Sequence, residues 1–312
     1  MKRTLTVITP CFNEEENVTA CYQRLRDVML TRLTHLEYEH IFADNASSDK
    51  TLQVLRSLAK NDKRVKVIAN SRNVGPFRNM WNALKSSSGD AVVPMLPADL
   101  QDPPEIIPNL VDRWESGDLV VYGIRSVREE NYVMRFFRKA YYTIIKRFAS
   151  FYTPMNAGEF LLADKRVIES ILSIDDTYPY IRGLIAQTGV RSSSVEYTWS
   201  RRGKGKSKNK PLDLIDQAIN GFVSTSRLPA RLSLLAGFVL SLLGILAAAL
   251  FLSLFLLDRQ GFELGIPTLI VGLFLFSGLQ LFFLGVIGEY VLSIHGQVRR
   301  PPPMYELERI NF

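Results

Sequence analysis

The sequence contains very little cysteine and histidine. Its 312 residues include two cysteines, Cys11 and Cys21, and three histidines that lie far apart, at His35, His40 and His295. Neither cysteine has neighbours at metal-ligand spacing, and the histidines are scattered, so zinc chemistry and a Ser-His-Asp triad are both poorly supported. We expect Cys11 to be a small buried thiol in a reducing compartment.

The sequence also lacks an apolar segment near its start, an internal repeat and a low-complexity tract. Met1, Lys2 and Arg3 lead directly into a predicted strand, so we expect no signal peptide. A chain of this length can supply one α/β domain of about 200 residues and still leave a separate C-terminal part.

Two long apolar runs without a charged residue form most of that C-terminal part. They comprise 26 residues at 232–257 and 25 residues at 264–288, and each exceeds the ~20 residues with which a helix crosses a bilayer. The linker at 258–263 is long enough only for a hairpin, so we predict two transmembrane helices. Four arginines flank the pair of runs, at Arg227, Arg231, Arg299 and Arg300, whereas the hairpin loop carries Asp258, Arg259 and Glu263. This asymmetry predicts that both termini are cytoplasmic.

The net charge of +7 is concentrated in one loop. Between residues 201 and 210 there are six basic residues and no acidic one: Arg201, Arg202, Lys204, Lys206, Lys208 and Lys210. A nucleic-acid site is poorly supported, because no aromatic residues interleave and no nucleic-acid fold motif is present. A solvated loop remains possible, but glycine spacing close to a predicted span favours a loop that binds phosphate at the membrane surface.

Polar residues follow each of four predicted strands. The strands are Leu5–Thr9, Glu39–Ala43, Val65–Ala69 and Ala91–Leu96. Ligands bind at the carboxyl ends of strands in open α/β sheets. We therefore expect an α/β fold whose site is built from these four strand ends.

The fourth strand is followed by Asp99-Leu100-Gln101-Asp102-Pro103-Pro104-Glu105. Carboxylate and amide oxygens in this arrangement suit Mg²⁺ or Mn²⁺ carrying a diphosphate. The same motif is also typical of an ordinary helix N-terminus, because proline is favoured in the first turn of a helix. Both interpretations stay open on this motif alone.

Taken in order, these strand-end motifs resemble those of family-2 glycosyltransferases with the GT-A (Rossmann-like) fold, and most closely the polyprenyl-phosphate glycosyltransferases. Bactoprenol glucosyltransferases and dolichyl-phosphate mannose synthases are members of that group. The resemblance covers essentially the whole chain. It implies a nucleotide-sugar donor, a divalent metal, a polyprenyl phosphate acceptor (undecaprenyl or dolichyl), inversion at the sugar, and a tetrameric assembly in a bacterial inner membrane.

The resemblance also implies roles for individual residues. Substrate binding falls to Pro10, Asn13, Glu14, Asp44, Asn45, Gly75, Asp99, Gln101, Arg202, Ser207 and Lys208. Asp99, Gln101 and Asp102 are the implied metal ligands, and Asp99, Glu159 and Arg202 the implied catalytic residues.

The chain departs from the family pattern at several of these motifs. It has Asp44-Asn45-Ala46-Ser47 for Asp-Asp-Gly-Ser, Pro97-Ala98-Asp99 for Asp-Ala-Asp, Gly158-Glu159-Phe160-Leu161 for Gly-Asp-Phe-Arg, and Trp199 for an arginine. Pro97 removes one presumed metal-site carboxylate. This leaves open a catalytically degenerate homologue, and also a transferase that acts on a lipid hydroxyl with Glu159 as base.

The resulting organisation has three parts. Residues 1–228 form the glycosyltransferase domain, 229–290 the transmembrane hairpin, and 291–312 a cytoplasmic tail. Within the first part, two helices at about 132–151 and 212–223 are predicted to lie at the membrane interface, because they combine basic and aromatic or apolar residues. A core helix is the alternative for the first of them.

Overall fold

The computed structural model describes residues 2–127, 157–174, 176, 179–198, 235–240, 242–244, 246, 253, 266–299 and 304–312. The chain divides into two compact units, Met1–Ile215 with Arg300–Phe312, and Asp216–Arg299. Several predictions lie outside the described residues: the interfacial helices, the basic loop at 201–210 and most of the apolar run at 232–257.

The first unit is built on strands and helices that largely match the sequence pattern. The strands are β1 Thr4–Cys11, β2 Glu37–Asp44, β3 Val65–Asn70, β4 Ala91–Val93, β5 Val120–Val127, β6 Ala157–Asp164, β7 Ser192–Thr198 and β8 Glu306–Ile310. The helices are α1 Val18–Arg32, α2 Thr51–Asn61, α3 Pro76–Leu84, α4 Ile107–Glu115, α5 Lys165–Leu172 and α6 Ile181–Gln187, with a 3₁₀ turn at Pro104–Ile106.

The strands form one mixed sheet in the order β7-β5-β6-β4-β1-β2-β3-β8. The four central strands β4, β1, β2 and β3 are parallel, while β6 runs antiparallel to β4 and β8 antiparallel to β3. Cys11 pairs with Asp44, and Asp44 with Ala69, so β1, β2 and β3 end level with one another. The first unit therefore has the predicted α/β, Rossmann-like architecture, with the predicted strand ends along one edge of the sheet.

The central strands are buried on both faces, as expected for parallel strands covered by helices. Ile8, Ile41 and Ile68 pack against α3 and its neighbours on one face, whereas Phe42 and Val67 pack with residues of α1 and α2 on the other. The fourth strand ends earlier than predicted, at Val93, because Pro94 follows it and has no backbone N–H for the ladder.

The eighth strand was not anticipated, since its residues belong to the predicted C-terminal tail. It pairs antiparallel with β3, with Val67 opposite Ile310 and Ala69 opposite Glu308. Arg56 on α2 forms an ion pair with Glu308 at 2.6 Å. The Asn311 amide donates to the carbonyl oxygens of Ala59 and Val65, at 2.7 and 2.8 Å. These contacts cover the edge of the sheet that β3 would otherwise expose.

The second unit contains one long apolar helix, Ile266–Arg299, of 34 residues. Its segment Phe276–Arg299 has a mean hydropathy of 1.5 and no buried residues in its most apolar window, and it is long enough to cross a membrane. A shorter apolar helix occupies Leu235–Gly244. The long helix continues eleven residues beyond the predicted end at Gly288, and the two-helix hairpin stays a prediction.

Both cysteines are buried free thiols, as expected for Cys11. Burial raises the pKa of the Cys21 thiol to about 12 and holds that of Cys11 well above its usual value. Because the thiolate is the reactive form, neither side chain has the properties of a nucleophile at neutral pH.

His40 on β2 is a buried neutral side chain in the core. Its Nε2 lies 2.8 Å from the Thr9 hydroxyl oxygen, and its Nδ1 has no hydrogen-bond partner among the described residues. Burial lowers the pKa of His40 from 6.5 to about 3. Folding therefore keeps this imidazole uncharged over a range where the unfolded chain would protonate it.

We expect His40 to make the protein less stable as the pH falls. The folded pKa lies below the unfolded one, so the unfolded state binds more protons between pH 6.5 and 3, and the stability is lost progressively across that window. Lowering the pH from 7 to 5 should cost about 2 kcal/mol through this group. Denaturant unfolding of the detergent-solubilised protein at both pH values measures the loss.

The His40→Gln variant should lose about 2 kcal/mol less than the wild type over the same pH interval. The matched control is His35→Gln, because the His35 side chain is 51% exposed. If His40→Gln loses as much stability over this pH interval as the wild type and His35→Gln, the buried imidazole is not the group responsible.

Candidate functional site

The loops after β1 and β2 are joined by Asn13, a predicted substrate-binding residue. Its backbone N–H donates to the Ser47 hydroxyl at 2.8 Å, and its side-chain Oδ1 accepts from the Ser48 backbone N–H at 2.7 Å. Asn13 has a positive φ of 55°, a conformation that asparagine tolerates better than most residues. The structure therefore places Asn13 at the site edge, where it fixes the relative position of two site loops.

Glu14 and Pro10 lie beside this junction. The Glu14 backbone N–H donates to the Thr51 hydroxyl at 2.8 Å, and its carboxylate accepts from the Asn17 amide at 2.6 Å. Pro10, at the end of β1, is opposite Ala43 of β2. Both predicted residues are thus at the carboxyl end of β1, beside the parallel strand β2.

Asp44 ends β2 and is only 1% exposed. One carboxylate oxygen, Oδ2, accepts from the Ser47 backbone N–H at 3.2 Å. The other, Oδ1, is buried and has no hydrogen-bond partner among the described residues. Burial raises the pKa of Asp44, and hydrogen bonds from Ser47 partly oppose this. A buried acceptor oxygen without a protein donor is costly, so this oxygen is suited to receive an N–H or O–H group of a ligand.

Asn45 connects the second strand end to the third. Its amide donates to Asn73 Oδ1 at 2.8 Å, and its Oδ1 accepts from the Val74 backbone N–H at 2.9 Å. Gly75 follows with φ of +85° and precedes the first residue of α3. Its positive φ explains why glycine suits this predicted site position.

Ala46, between Asn45 and Ser47, also has a positive φ, of 60°. Alanine adopts this left-handed conformation at a cost of roughly 1 kcal/mol. The family pattern that the sequence resembles has glycine at this position, and glycine adopts a positive φ without that cost.

Two buried asparagines near the site were not predicted. Asn70, at the end of β3, donates to Asn79 Oδ1 at 2.8 Å, and Asn79 on α3 donates to the Ala43 carbonyl oxygen at 2.8 Å. Each is 1% exposed. They fix α3 against the ends of β2 and β3. The sequence did not identify either residue, because their hydrogen-bond partners lie on other elements.

The loop after β4 carries Asp99 and Gln101, the first two predicted metal ligands. Asp99 is half-buried, and its Oδ1 accepts from the Gln101 backbone N–H at 3.2 Å. Leu100 between them has a positive φ of 59°. This tight turn brings the Asp99 carboxylate and the Gln101 amide to the site edge of the sheet.

Asp102, the third predicted ligand, is engaged differently. It is 1% exposed, and its two carboxylate oxygens accept from Arg125 Nε and Nη2 at 3.0 and 2.8 Å. The Tyr197 hydroxyl also donates to Asp102 Oδ1, at 2.5 Å. This arrangement does not favour the predicted metal role, because both oxygens already receive protein donors. No group of three or more His, Cys, Asp or Glu side chains suited to a metal occurs among the described residues.

Glu159 lies near the start of β6. Since β6 is antiparallel to β4, its first residues are at the edge where β4 ends. The Glu159 side chain is 15% exposed and lies 3.8 Å from Arg182 Nε on α6. Burial raises the pKa of Glu159, although the neighbouring Arg182 opposes the rise. Glu159 is thus a partly shielded carboxylate at the same end of the strands as Asp99. The remaining predicted residues, Arg202, Ser207 and Lys208, lie outside the described residues.

Comparison with known sequences agrees with this architecture. Residues 6–172 match the family described as "Glycosyl transferase family 2". The chain belongs to that family and is an enzyme, a glycosyltransferase.

Individual relatives match over nearly the full length. An uncharacterized glycosyltransferase of Synechocystis is 35% identical over 299 residues, covering 96% of this chain and 93% of the relative. The SfII prophage-derived bactoprenol glucosyl transferase of Shigella flexneri is 30% identical over 300 residues, covering 96% of each chain. Both alignments therefore extend well beyond the region matched by the family.

Proposed function

We propose that this glycosyltransferase moves a sugar from a nucleotide-diphosphate sugar to a polyprenyl phosphate at the cytoplasmic face of a bacterial membrane. The proposal rests on the combination of two features in one chain. Asp44 offers a buried hydrogen-bond acceptor at a strand end, and a 34-residue apolar helix follows later in the sequence. The full-length similarity to a protein named as a bactoprenol glucosyl transferase supports the choice of acceptor.

The donor's nucleoside would be held by the ends of β1, β2 and β3. Asp44 Oδ1 would accept a hydrogen bond from the base or from a ribose hydroxyl, as acidic strand-end residues do in other nucleotide folds. Asn45 and Gly75 would line the side of the nucleoside site formed by the loops after β2 and β3, because the Asn45–Asn73 hydrogen bond joins these loops.

A divalent cation, Mg²⁺ or Mn²⁺, fits the loop after β4. Asp99 and Gln101 offer a carboxylate and an amide oxygen, and Mg²⁺ is commonly held by one or two carboxylates together with substrate phosphates. Such an ion would neutralise charge on the departing diphosphate. Pro97 removes one further acidic group, so Asp99 would be the principal protein ligand.

The acceptor phosphate would attack the sugar C1 with one of its oxygens, and the bond from C1 to the diphosphate would break with inversion. A phosphate monoester has a second pKa near ~6 and is largely dianionic at neutral pH, so it needs no general base. Arg202, Ser207 and Lys208 would position it, and the electrostatic attraction would compensate for lost hydration.

The apolar helix supports an integral membrane protein. We propose that residues 232–257 and 264–288 form a hairpin with both termini in the cytoplasm, where sugar nucleotides are made. The helices predicted at about 132–151 and 212–223 would hold the glycosyltransferase domain at the headgroup level. Small residues at Gly237, Ser241 and Gly244 permit close helix packing, which suits a homo-oligomer.

One assay tests this function. Membranes containing the protein are incubated with a panel of radiolabelled sugar nucleotides and with polyprenyl phosphate, and the lipid product is extracted. We expect transfer to polyprenyl phosphate only, with a product that mild acid cleaves, because a sugar phosphodiester is acid-labile. No labelled lipid with any donor, in the presence of Mg²⁺ or Mn²⁺, would favour a catalytically degenerate homologue.

A transferase acting on a lipid hydroxyl is the second candidate. The observation that favours it is Glu159, because burial raises its pKa toward the range of a general base. In that case the labelled product would resist mild acid, and Glu159→Gln would abolish its formation.

Asp44→Ala should weaken donor binding more than it slows the reaction. Removing an acceptor bound to a nucleotide N–H or O–H should raise the donor KM roughly 10- to 100-fold, with a smaller fall in kcat. Steady-state kinetics with varied donor measure both quantities. The control is Asp90→Ala, because Asp90 accepts from the Thr4 backbone N–H at the opposite end of β1. An unchanged donor KM in Asp44→Ala would contradict the placement of the nucleoside.

A further inference from the structure

Asp102, in the loop that follows β4, contacts two side chains from other strands. Arg125 of β5 donates to both oxygens of Asp102, at 3.0 and 2.8 Å. Tyr197 of β7 donates to Asp102 Oδ1 at 2.5 Å and lies 3.2 Å from Arg125 Nε. The Asp102 side chain is 2% exposed and that of Arg125 is 18% exposed. This is a shielded ion pair with a tyrosine hydroxyl as third member.

The cluster lies directly beside the turn that carries Asp99. Asp102 is three residues after Asp99, and between them Leu100 has a φ of 59°, which places a bulky side chain in the left-handed region. Such a backbone conformation persists only where surrounding contacts hold it. The anchored Asp102 supplies that hold at one end of the turn.

The cluster also reaches the far edge of the sheet. In the order β7-β5-β6-β4, Arg125 and Tyr197 lie on the two strands beyond β6, so the contact passes over one intervening strand. Tyr197 is the penultimate residue of β7, and the basic loop at 201–210 follows shortly afterwards in sequence. One shielded cluster thus connects the Asp99 turn to the strand that leads into the basic loop.

We propose that Asp102, Arg125 and Tyr197 form a clamp that positions the Asp99–Gln101 turn, and that Asp102 acts as a positioning residue and not as a metal ligand. The proposal deepens the proposed function, on which its kinetic consequences rest. A buried carboxylate with two bonds from one guanidinium is a geometrically specific anchor. A small displacement of the turn would move the Asp99 carboxylate away from the diphosphate and slow transfer.

The fold provides a matched control. Asp62 accepts from Arg64 Nε and Nη2 at 2.8 and 2.9 Å, and Tyr22 donates to Asp62 Oδ2 at 3.0 Å. This second Asp–Arg–Tyr cluster lies where α2 leads into β3, at the end of that strand opposite to the site. Tyr22→Phe therefore removes a tyrosine hydroxyl from a cluster of the same composition far from the site, in which the arginine is more exposed, at 40% against 18%.

The test compares Tyr197→Phe with Tyr22→Phe in the full-length protein. Tyr197→Phe should lower kcat roughly 10- to 100-fold with a donor KM within about twofold of wild type, whereas Tyr22→Phe should leave both unchanged. Hydrogen exchange of the peptide spanning residues 97–106 should be faster in Tyr197→Phe only. The loss of kcat in Tyr197→Phe should persist at temperatures well below the unfolding midpoint of that variant, which separates positioning from general stability.

Hydrogen exchange keeps this test independent of the proposed function. If the wild type transfers no sugar to polyprenyl phosphate, the proposed function fails, but faster exchange in residues 97–106 of Tyr197→Phe still supports the clamp. Unchanged exchange in that peptide overturns it. Mn²⁺ titration of Asp102→Asn distinguishes a positioning residue from a metal ligand. Retained Mn²⁺ binding with faster hydrogen exchange supports positioning. Lost Mn²⁺ binding with unchanged exchange makes Asp102 a ligand and overturns the clamp.

Discussion

Replacing Asp99 by asparagine should lower sugar transfer at least about 100-fold, because the proposed site then lacks its principal anionic ligand for a cation on the diphosphate. The change is nearly isosteric, and Asp99 is half-buried in a turn beyond β4 and not in the core. Folding should therefore be preserved. Initial rates at saturating donor and acceptor, over a range of Mn²⁺ concentrations, measure the effect.

Two further variants sharpen the interpretation of Asp99→Asn. Asp112 is an exposed residue on α4, so Asp112→Asn should keep wild-type turnover and shows the effect of charge loss alone. Gln101→Ala should raise the Mn²⁺ concentration needed for half-maximal rate, because one neutral ligand is lost. Near-normal turnover in Asp99→Asn would show that the metal assignment is wrong.

The second large effect is expected in the basic loop. Replacing Arg202 or Lys208 by alanine should reduce turnover strongly at every ionic strength, because the family resemblance implies that these two residues bind the substrate directly. Charges that only attract anionic headgroups contribute about 1 kcal/mol each at most, and salt screens them. Lys204→Ala, Lys206→Ala and Lys210→Ala should therefore cause mild losses that depend on salt.

Rates measured at low and high salt, together with vesicle sedimentation, distinguish the two groups of residues. The three lysine variants serve as controls for the loss of one positive charge from the same loop. Equal, salt-sensitive losses at all five positions would mean that the loop is only an electrostatic tether. The reaction centre would then have to lie nearer Glu159, and the lipid-hydroxyl acceptor would become the better interpretation.

The sequence was sufficient to predict the α/β fold and the edge on which the candidate site lies. Four apolar runs of strand length, each followed by polar residues, predict β1 to β4, although β4 ends at Val93 and not at Leu96. That pattern works because parallel strands buried on both faces must be continuously apolar, and because their carboxyl ends lie together. Asp44 and Asp99 were identified in this way, and the structure places both at that edge.

What the sequence did not reveal depends on contacts between distant residues. Asp102 looks like Asp99 in a motif of seven residues, and only its pairing with Arg125 and Tyr197 distinguishes it. Asn79 has no signal of its own, because its partners, Asn70 and Ala43, lie on other elements. No local rule of periodicity or spacing reports such pairings.

The eighth strand escaped prediction for a related reason. Its sequence, Glu306-Leu307-Glu308-Arg309-Ile310, is rich in charge, which is unusual for a central strand but suits the edge of a sheet. Its hydrogen-bond partner β3 lies more than two hundred residues earlier. The charged composition of these residues predicts a tail. They form a strand because β3 offers them an unpaired edge.

This last strand also determines when the sheet can be completed during synthesis of the protein. A ribosome makes β3 early and β8 only after the whole apolar helix, so the edge of β3 stays unpaired throughout synthesis of the intervening chain. Exposed strand edges invite pairing with other chains. The sheet is therefore completed only once the long apolar helix has been translated, and a polypeptide that stops short of residue 306 would leave the outer side of β3 open and prone to aggregation.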